Sequence, residues 1–264
     1  MKGRAIGIYD SGYGGLTVLK EMLKLAPNGN YIYFGDNKRV PYGDKTKQEL
    51  VDISKNVIKF FEEKSVKAVV IACNTICAQS LEELKKITDI PLIGIGDMGA
   101  KGILRETENK KVLVLATKST VQAGLYNKCV SKLDSEVEVR GVGCSQLVPI
   151  IESEEDFDGK REKILDALNK YKLEVEDFPF DTVVLGCTHY PYIKDEIREV
   201  FGMDKKIVNP SFEQAKEVVR IFSEELNRAD GELEFFTTGD VNSFKGFATE
   251  YLDESDIEVH KFDF

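Results

Sequence analysis

AVVIACNT at residues 68–75 and TVVLGCTH at residues 182–189 share one pattern: a run of apolar, mostly β-branched residues, a small residue, a cysteine and two polar residues. An apolar run of this kind reads as a strand buried on both faces, as the central strands of parallel sheets are. Upstream of each stands a further strand–loop pair in the matching place, IGIYDSG at 6–12 and LVLATKS at 113–119. The chain therefore reads as two related α/β halves. Each half carries a cysteine, Cys73 or Cys187, at the carboxyl end of a central strand, where open α/β sheets bind ligands. Two such ends facing one another make a cleft between the halves with a thiol on each wall.

Outward from these strands, short β-branched runs alternate with segments of helical period. Leu16, Leu19, Leu23 and Ala26 follow the first strand, and Leu50, Ile53, Val57, Phe60 and Phe61 follow YIYFGD at 31–36. This alternation predicts βαβ units and mostly parallel central sheets flanked by helices. Thr46 with Glu49, and Ser211 with Gln214 after Asn209-Pro210, have the spacing of capping boxes and mark two helix starts. Past residue 209 come a helical pattern through Ala215, Val218, Val219, Phe222 and Leu226, the strand-like EFFTTG at 234–239, a helix through Phe244, Phe247 and Tyr251, and alternation at Ile257 and Val259. This tail is expected to pack back on the first half, giving a discontinuous domain of 1–97 plus 209–264 around a second domain of 98–208. The charged stretches ETENKK at 106–111 and ESEEDFD at 152–158 read as solvated loops or helix ends, with Glu152 set apart as a candidate functional residue.

The 264 residues, 42% hydrophobic, suit one large or two small globular domains. With 36 basic and 46 acidic residues the net charge is −10, which argues against a nonspecific grip on nucleic acid or an anionic membrane. No apolar run approaches the ~20 residues of a membrane span. The N-terminal MKGRAIGIYDSG also lacks the apolar stretch of a signal peptide, so a cytoplasmic location is expected. There the five cysteines are expected as free thiols.

A lone buried cysteine is usually a small hydrophobe. Cys73 and Cys187 differ because the same local frame recurs, each followed by hydrogen-bonding groups, Asn74-Thr75 and Thr188-His189. A strand end opening into a helix N-terminus adds backbone N–H groups and positive dipole, which favour thiolate. Two thiols across a cleft suit removal of a proton from one face of a carbon acid and delivery to the other. Redox pairing is the competing use, but Cys73 and Cys77 stand at CxxxC spacing, and the i,i+4 relation makes Cys77 a packing residue. Cys187 and His189 alone fall short of a zinc ligand set, so no metal is expected.

Asp10-Ser11-Gly12, with Gly14 and Gly15, follows the first strand. Its glycines allow close approach of backbone to a ligand; alternatively, Asp10 or Ser11 caps the next helix. Pro41-Tyr42-Gly43 reads as a rigid turn. His189 gains an assisting role from its place beside Cys187, whereas His260 reads as a strand residue without one. No GxxxxGK[ST] run is present, and the first glycine cluster does not complete GxGxxG.

Five motifs in order, IGIYDSGYGGLTVLKEM, YFGDNKRVPYG, ACNTICA, LVPIIE and LGCTHYP, span residues 6–191, and the chain resembles the bacterial glutamate racemases through them. The resemblance implies a cofactor-free, two-base interconversion of L- and D-glutamate that supplies D-glutamate for peptidoglycan. In it Cys73 is the base toward D-glutamate and Cys187 the base toward L-glutamate. It also implies Asp10, Ser11, Pro41, Tyr42, Gly43, Asn74, Thr75, Thr188 and His189 as substrate contacts, and Thr117 with Thr120 as a threonine pair near a substrate carboxylate. Asp10, Glu152 and His189 would assist the thiols, with Asp36 a weaker candidate. A homodimer is common in the family. None of these positions is Lys or Arg, so hydroxyls, amides and backbone N–H groups are expected to hold the carboxylates. The sequence departs from the family at IGIGDMGAKG, 93–102, where IGVIEPGA is usual, and at Ser145, where proline is usual. Two rival readings are a racemase of the same superfamily acting on aspartate or a hydantoin, and a catalytically silent binding protein.

Overall fold

The computed structural model describes residues 4–153, 155–254 and 257–263. Residues 1–3, Glu154 of the acidic stretch, and 255, 256 and 264 of the tail lie outside it. Two parallel sheets organise the chain. The first contains β1 (Ile6–Asp10), β2 (Tyr31–Gly35), β3 (Ala68–Ile71) and β4 (Leu92–Gly94), and the second β5 (Lys111–Ala116), β6 (Glu138–Gly143), β7 (Thr182–Gly186) and β8 (Lys206–Val208). β9 (Leu233–Thr237) and β10 (Val259–Lys261) return to extend the first sheet.

The strand orders are β10-β9-β2-β1-β3-β4 and β6-β5-β7-β8. Without the two returning strands the orders correspond one to one, so the weak sequence repeat is a repeat of topology. Ile8 lies between Tyr33 and Val70 as Val114 lies between Gly141 and Val184. β3 and β7 are buried along their whole length, as their apolar runs require, and so is β1.

The first half uses helices α1 (Leu16–Leu25), α2 (Lys47–Glu63) and α3 (Asn74–Leu84), and α4 (Ile95–Glu106) crosses to the second sheet. There follow α5 (Lys118–Gln122), α6 (Leu125–Ser131), α7 (Leu147–Ile151), α8 (Phe157–Leu173) and α9 (Lys194–Phe201), then α10 (Pro210–Ile221), α11 (Ser223–Asn227) and α12 (Val241–Leu252). Thr46 makes the full capping box with Glu49 at the start of α2. The second expected box does not form. Pro210 takes the first helical position, where its missing N–H costs nothing, so the cap falls two residues earlier on Asn209, whose side chain accepts from the Ser211 amide at 3.1 Å. Gln214 instead turns inward and donates to the Ile71 and Ile93 carbonyls at 3.1 and 2.9 Å.

Alternation along β5 divides the interior. Val112, Val114 and Ala116 join the core that runs under the first sheet, while Leu113 and Leu115 join a second core with Leu168 of α8 and Ile197 of α9. The unusual 93–102 segment closes β4 and opens α4, and its glycines are packing surfaces. A Cβ on Gly96 would stand 2.8 Å from Leu125, and one on Gly99 would stand 2.7 Å from Tyr126. The ETENKK stretch is a loop tied down by Asp181, whose carboxylate accepts the Glu108 and Asn109 amides at 2.6 and 2.7 Å. No helix among the described residues is long and apolar enough to cross a membrane.

Candidate active site

The carboxyl ends of β1 and β3 face those of β5 and β7 across a cavity of about 280 Å³. The first half contributes Ser11, Tyr42, Gly43, Cys73, Asn74 and Thr75; the second contributes Thr117, Cys144, Glu152, Cys187, Thr188 and His189. Pro41 lines it too, entering through a cis Val40–Pro41 peptide ahead of a single turn at Tyr42–Asp44. A larger recess of about 470 Å³, walled by Lys20, Ile164, Tyr192 and Tyr251, contains neither thiol.

The two sulfurs sit in different local frames. Cys73 caps α3, its sulfur lies 3.7 Å from the Ser11 hydroxyl, and the nearby Ile76 amide favours its thiolate. Burial, then the nearby Asp10 carboxylate, nevertheless push its thiol well up, so the protonated form is favoured there. Cys187 is followed by a 3₁₀ turn, Tyr190–Ile193, before α9 begins, so the expected strand-to-helix junction is met only on the Cys73 side. Its partner is a side chain: His189 Nδ1 lies 3.7 Å from the Cys187 sulfur, and His189 Nε2 lies 2.8 Å from Glu152 Oε1. Burial opposes a charge on this imidazole, but the hydrogen bonds to Cys187 and Glu152 outweigh it and hold His189 well above the ordinary histidine range. A cation thus faces one sulfur and a carboxylate the other. This asymmetry suits a pair in which one sulfur accepts a proton while the other gives one.

Asp10 is fully buried, and burial raises its pKa against the relief of His189 and the Gly12 amide. Its carboxylate accepts the Gly12 N–H at 3.0 Å and the Thr188 hydroxyl at 3.3 Å, joining the two halves behind the cavity. Neither Asp10 nor Ser11 caps α1, because the intervening loop places Gly15 at the cap position without a side-chain bond. Gly14 is needed for close approach: a Cβ there would lie 2.2 Å from Thr188 Oγ1 and 2.6 Å from His189 Nδ1.

Thr117 caps α5, and its hydroxyl lies 3.0 Å from that of Thr75 and 2.9 Å from that of Thr120. The three hydroxyls form one cluster across the halves, with Thr75 and Thr117 lining the cavity and Thr120 behind them. Asp36 makes its hydrogen bonds away from both thiols: it accepts from the Tyr42 and Thr238 hydroxyls and from Arg39, and so anchors the Pro41–Gly43 turn. Cys77 is a packing residue; its sulfur receives the Ile95 N–H at 3.2 Å, and burial pushes its thiol up to about 12. His260 lies against the Phe236 ring.

Three residues near the substrate space had no signal in the sequence. Cys144 lines the cavity from the loop after β6, Lys118 brings an exposed cation to its mouth, and Tyr126 donates to Asn74 at 2.6 Å. Lys118 adds a basic residue beyond the contact positions singled out in the sequence, none of which is Lys or Arg. Only its neighbour Thr117, singled out as a contact, pointed to it.

The family model for Asp/Glu/hydantoin racemases matches residues 14–211. The glutamate racemase 2 of Caldanaerobacter subterraneus subsp. tengcongensis is 40% identical over 265 residues, covering 98% of this chain and 97% of that protein. Among solved structures, a glutamate racemase isoform from Bacillus anthracis superposes with a TM-score of 0.92 at 32% identity, covering 100% of this chain and 98% of the other. That of Francisella tularensis subsp. tularensis in complex with D-glutamate superposes with a TM-score of 0.87 at 28% identity, with 100% and 98% covered.

Proposed function

The chain belongs to the Asp/Glu/hydantoin racemase family, and we propose that it interconverts L- and D-glutamate without a cofactor, with Cys73 and Cys187 as opposed acid and base. The observation that carries this reading is that each half of the molecule ends a central strand with a cysteine, Cys73 after β3 and Cys187 after β7, that lines the same cavity. Stereoinversion needs a base on each face of the α-carbon, and binding alone needs neither.

In the direction from L-glutamate, Cys187 as thiolate takes the α-proton, breaking C–H and forming S–H, and the Cys73 thiol gives its proton to the opposite face. The reverse direction exchanges the roles. Each turnover leaves the site with thiol and thiolate interchanged. His189, held by Glu152, supplies positive charge beside Cys187. Asp10, behind the cavity wall, is assigned to assist the thiols and, through the Thr188 hydroxyl it holds, to orient the substrate ammonium. Ser11, the Pro41–Gly43 turn, Asn74, Thr75, Thr117 and Thr188, with Thr120 behind, bind the carboxylates and the enolate-like charge of the carbanion. Preorganised donors in a dry site are suited to that task, and enzymes generally lower barriers by roughly 8–23 kcal/mol. The product D-glutamate feeds peptidoglycan synthesis, with the enzyme acting in the cytoplasm as a homodimer.

Incubation with L-glutamate in D₂O, with no added cofactor, is expected to give loss of optical rotation together with deuterium at the α-carbon. Cys73→Ser and Cys187→Ser are each expected to lower racemisation by roughly 10²–10⁴-fold with the fold retained. Near-normal turnover in either variant overturns the two-base assignment, and preferential turnover of aspartate overturns the glutamate reading.

A further inference from the structure

Asn74 opens α3 beside Cys73 and lines the cavity, the residue only 2% exposed. Its amide is differently satisfied at its two ends. Oδ1 accepts the Tyr126 hydroxyl at 2.6 Å, a bond made across 52 residues of sequence and between the two halves. Nδ2 is buried and has no partner among the described residues. Buried donors are rarely left unpaired, and an NH₂ at the wall of a cavity finds its acceptor in what the cavity binds.

The amide has two orientations related by a half-turn. In the observed one the phenol gives its proton to the carbonyl. In the other, Tyr126 would accept from the NH₂, its own buried proton would lose its acceptor, and the amide oxygen would face an anionic substrate. Both consequences disfavour the flipped form. Tyr126 is itself held rigidly on α6, 2% exposed, with its ring against Gly99 of the crossing helix, where a Cβ would stand 2.7 Å from Cε1. Burial also keeps its proton on well above the ordinary tyrosine range.

We infer that Tyr126 is a positioning residue that locks the Asn74 amide with its NH₂ turned to the cavity, as a donor to a substrate carboxylate. This rests on the proposed role of Asn74 as a substrate contact. Because a carboxylate only accepts hydrogen bonds, a fixed donor favours it while a freely flipping amide presents the wrong end part of the time.

Tyr126→Phe removes the hydroxyl and leaves the ring against Gly99. It is expected to raise KM for both enantiomers by roughly three- to tenfold, the range of one neutral hydrogen bond, with a smaller change in kcat. Asn74→Ala is expected to raise KM on its own, and in that background the Tyr126→Phe factor should fall to within about twofold, as a double-mutant cycle requires of residues acting as one unit. Calorimetric binding of DL-glutamate supplies the same cycle for variants too slow to assay. An equal Tyr126→Phe factor in both backgrounds, or no effect of Tyr126→Phe in the parent protein, overturns the inference while leaving Asn74 as a contact. An unchanged KM and binding constant in Asn74→Ala overturns the contact and the inference together.

Discussion

Glu152→Gln keeps the size and one acceptor oxygen of the side chain while removing its charge. The pair it disturbs is 2.8 Å long, with side-chain exposures of 5% for His189 and 21% for Glu152, so little solvent screens it. A hydrogen bond between charged groups contributes ~1.5–3 kcal/mol, and at 1.4 kcal/mol per tenfold its loss lowers kcat/KM by roughly 10- to 150-fold. Mirror-image substrates have equal free energy in water, so kcat/KM must fall equally in both directions whichever thiol is affected. Isotopes break that symmetry. If the His189–Glu152 pair serves Cys187, the transition state for proton transfer at Cys187 becomes the higher one. The α-deuterium effect then grows with L-glutamate, whose bond Cys187 breaks, and shrinks with D-glutamate, whose bond Cys73 breaks. The pH profile gives a second readout. His189 is held well above its ordinary value partly by Glu152, so its charge is present at low and neutral pH and lost as pH rises through the raised pKa. With glutamine at 152, burial is less opposed, that pKa falls, and the alkaline loss of activity moves to lower pH. A change below threefold with an unmoved profile, or a larger isotope effect on the D-enantiomer, refutes the reasoning.

Two further substitutions separate function from stability. Asp10 has a raised pKa in the fold, so its ionised form weighs against folding at all pH above that value, and the penalty disappears as pH falls below the ordinary carboxylate range. Asp10→Asn is accordingly expected to raise Tm at pH 7.5, to raise it less at pH 4, and to reduce racemisation; a lower Tm at both pH values would show the carboxylate to be structural. Gly14→Ala places a Cβ 2.2 Å from Thr188 Oγ1 and 2.6 Å from His189 Nδ1, so Thr188 and His189 must move. A misplacement near 1 Å costs on the order of 100-fold in rate, and circular dichroism should show the fold retained; turnover within a few-fold of the parent would mean that the loop absorbs the methyl group.

Much of this architecture is local in origin, and local order is what a sequence displays. The unbroken apolar runs of β3 and β7 could only be buried strands, and the cysteine that ends each was visible with them. The Thr46–Glu49 box was legible because its partners lie three residues apart. The repeat of strand, loop, strand and cysteine pointed to two related halves, and the four core strands of the two sheets share one order.

Apart from His189, two residues from Cys187, the contacts that distinguish one thiol from the other are long-range, and only the packed chain decides them. Asn209 takes the cap from Ser211 because proline fits the first helical turn, freeing Gln214 for the carbonyls of β3 and β4. Asp36, read as a candidate to assist the sulfurs, is spent on Tyr42 and Thr238, the latter 202 residues away. Glu152 reaches His189 across 37 residues, and Tyr126 reaches Asn74 across 52. The sequence alone determines the strands, their repeat and the two cysteines, since period and propensity act over a few residues. Which carboxylate attends each of them depends on how the two halves meet, and Tyr126 reaches Asn74 because α6 packs on α4 at Gly96 and Gly99, a matter of steric fit between distant segments that no short stretch of chain encodes.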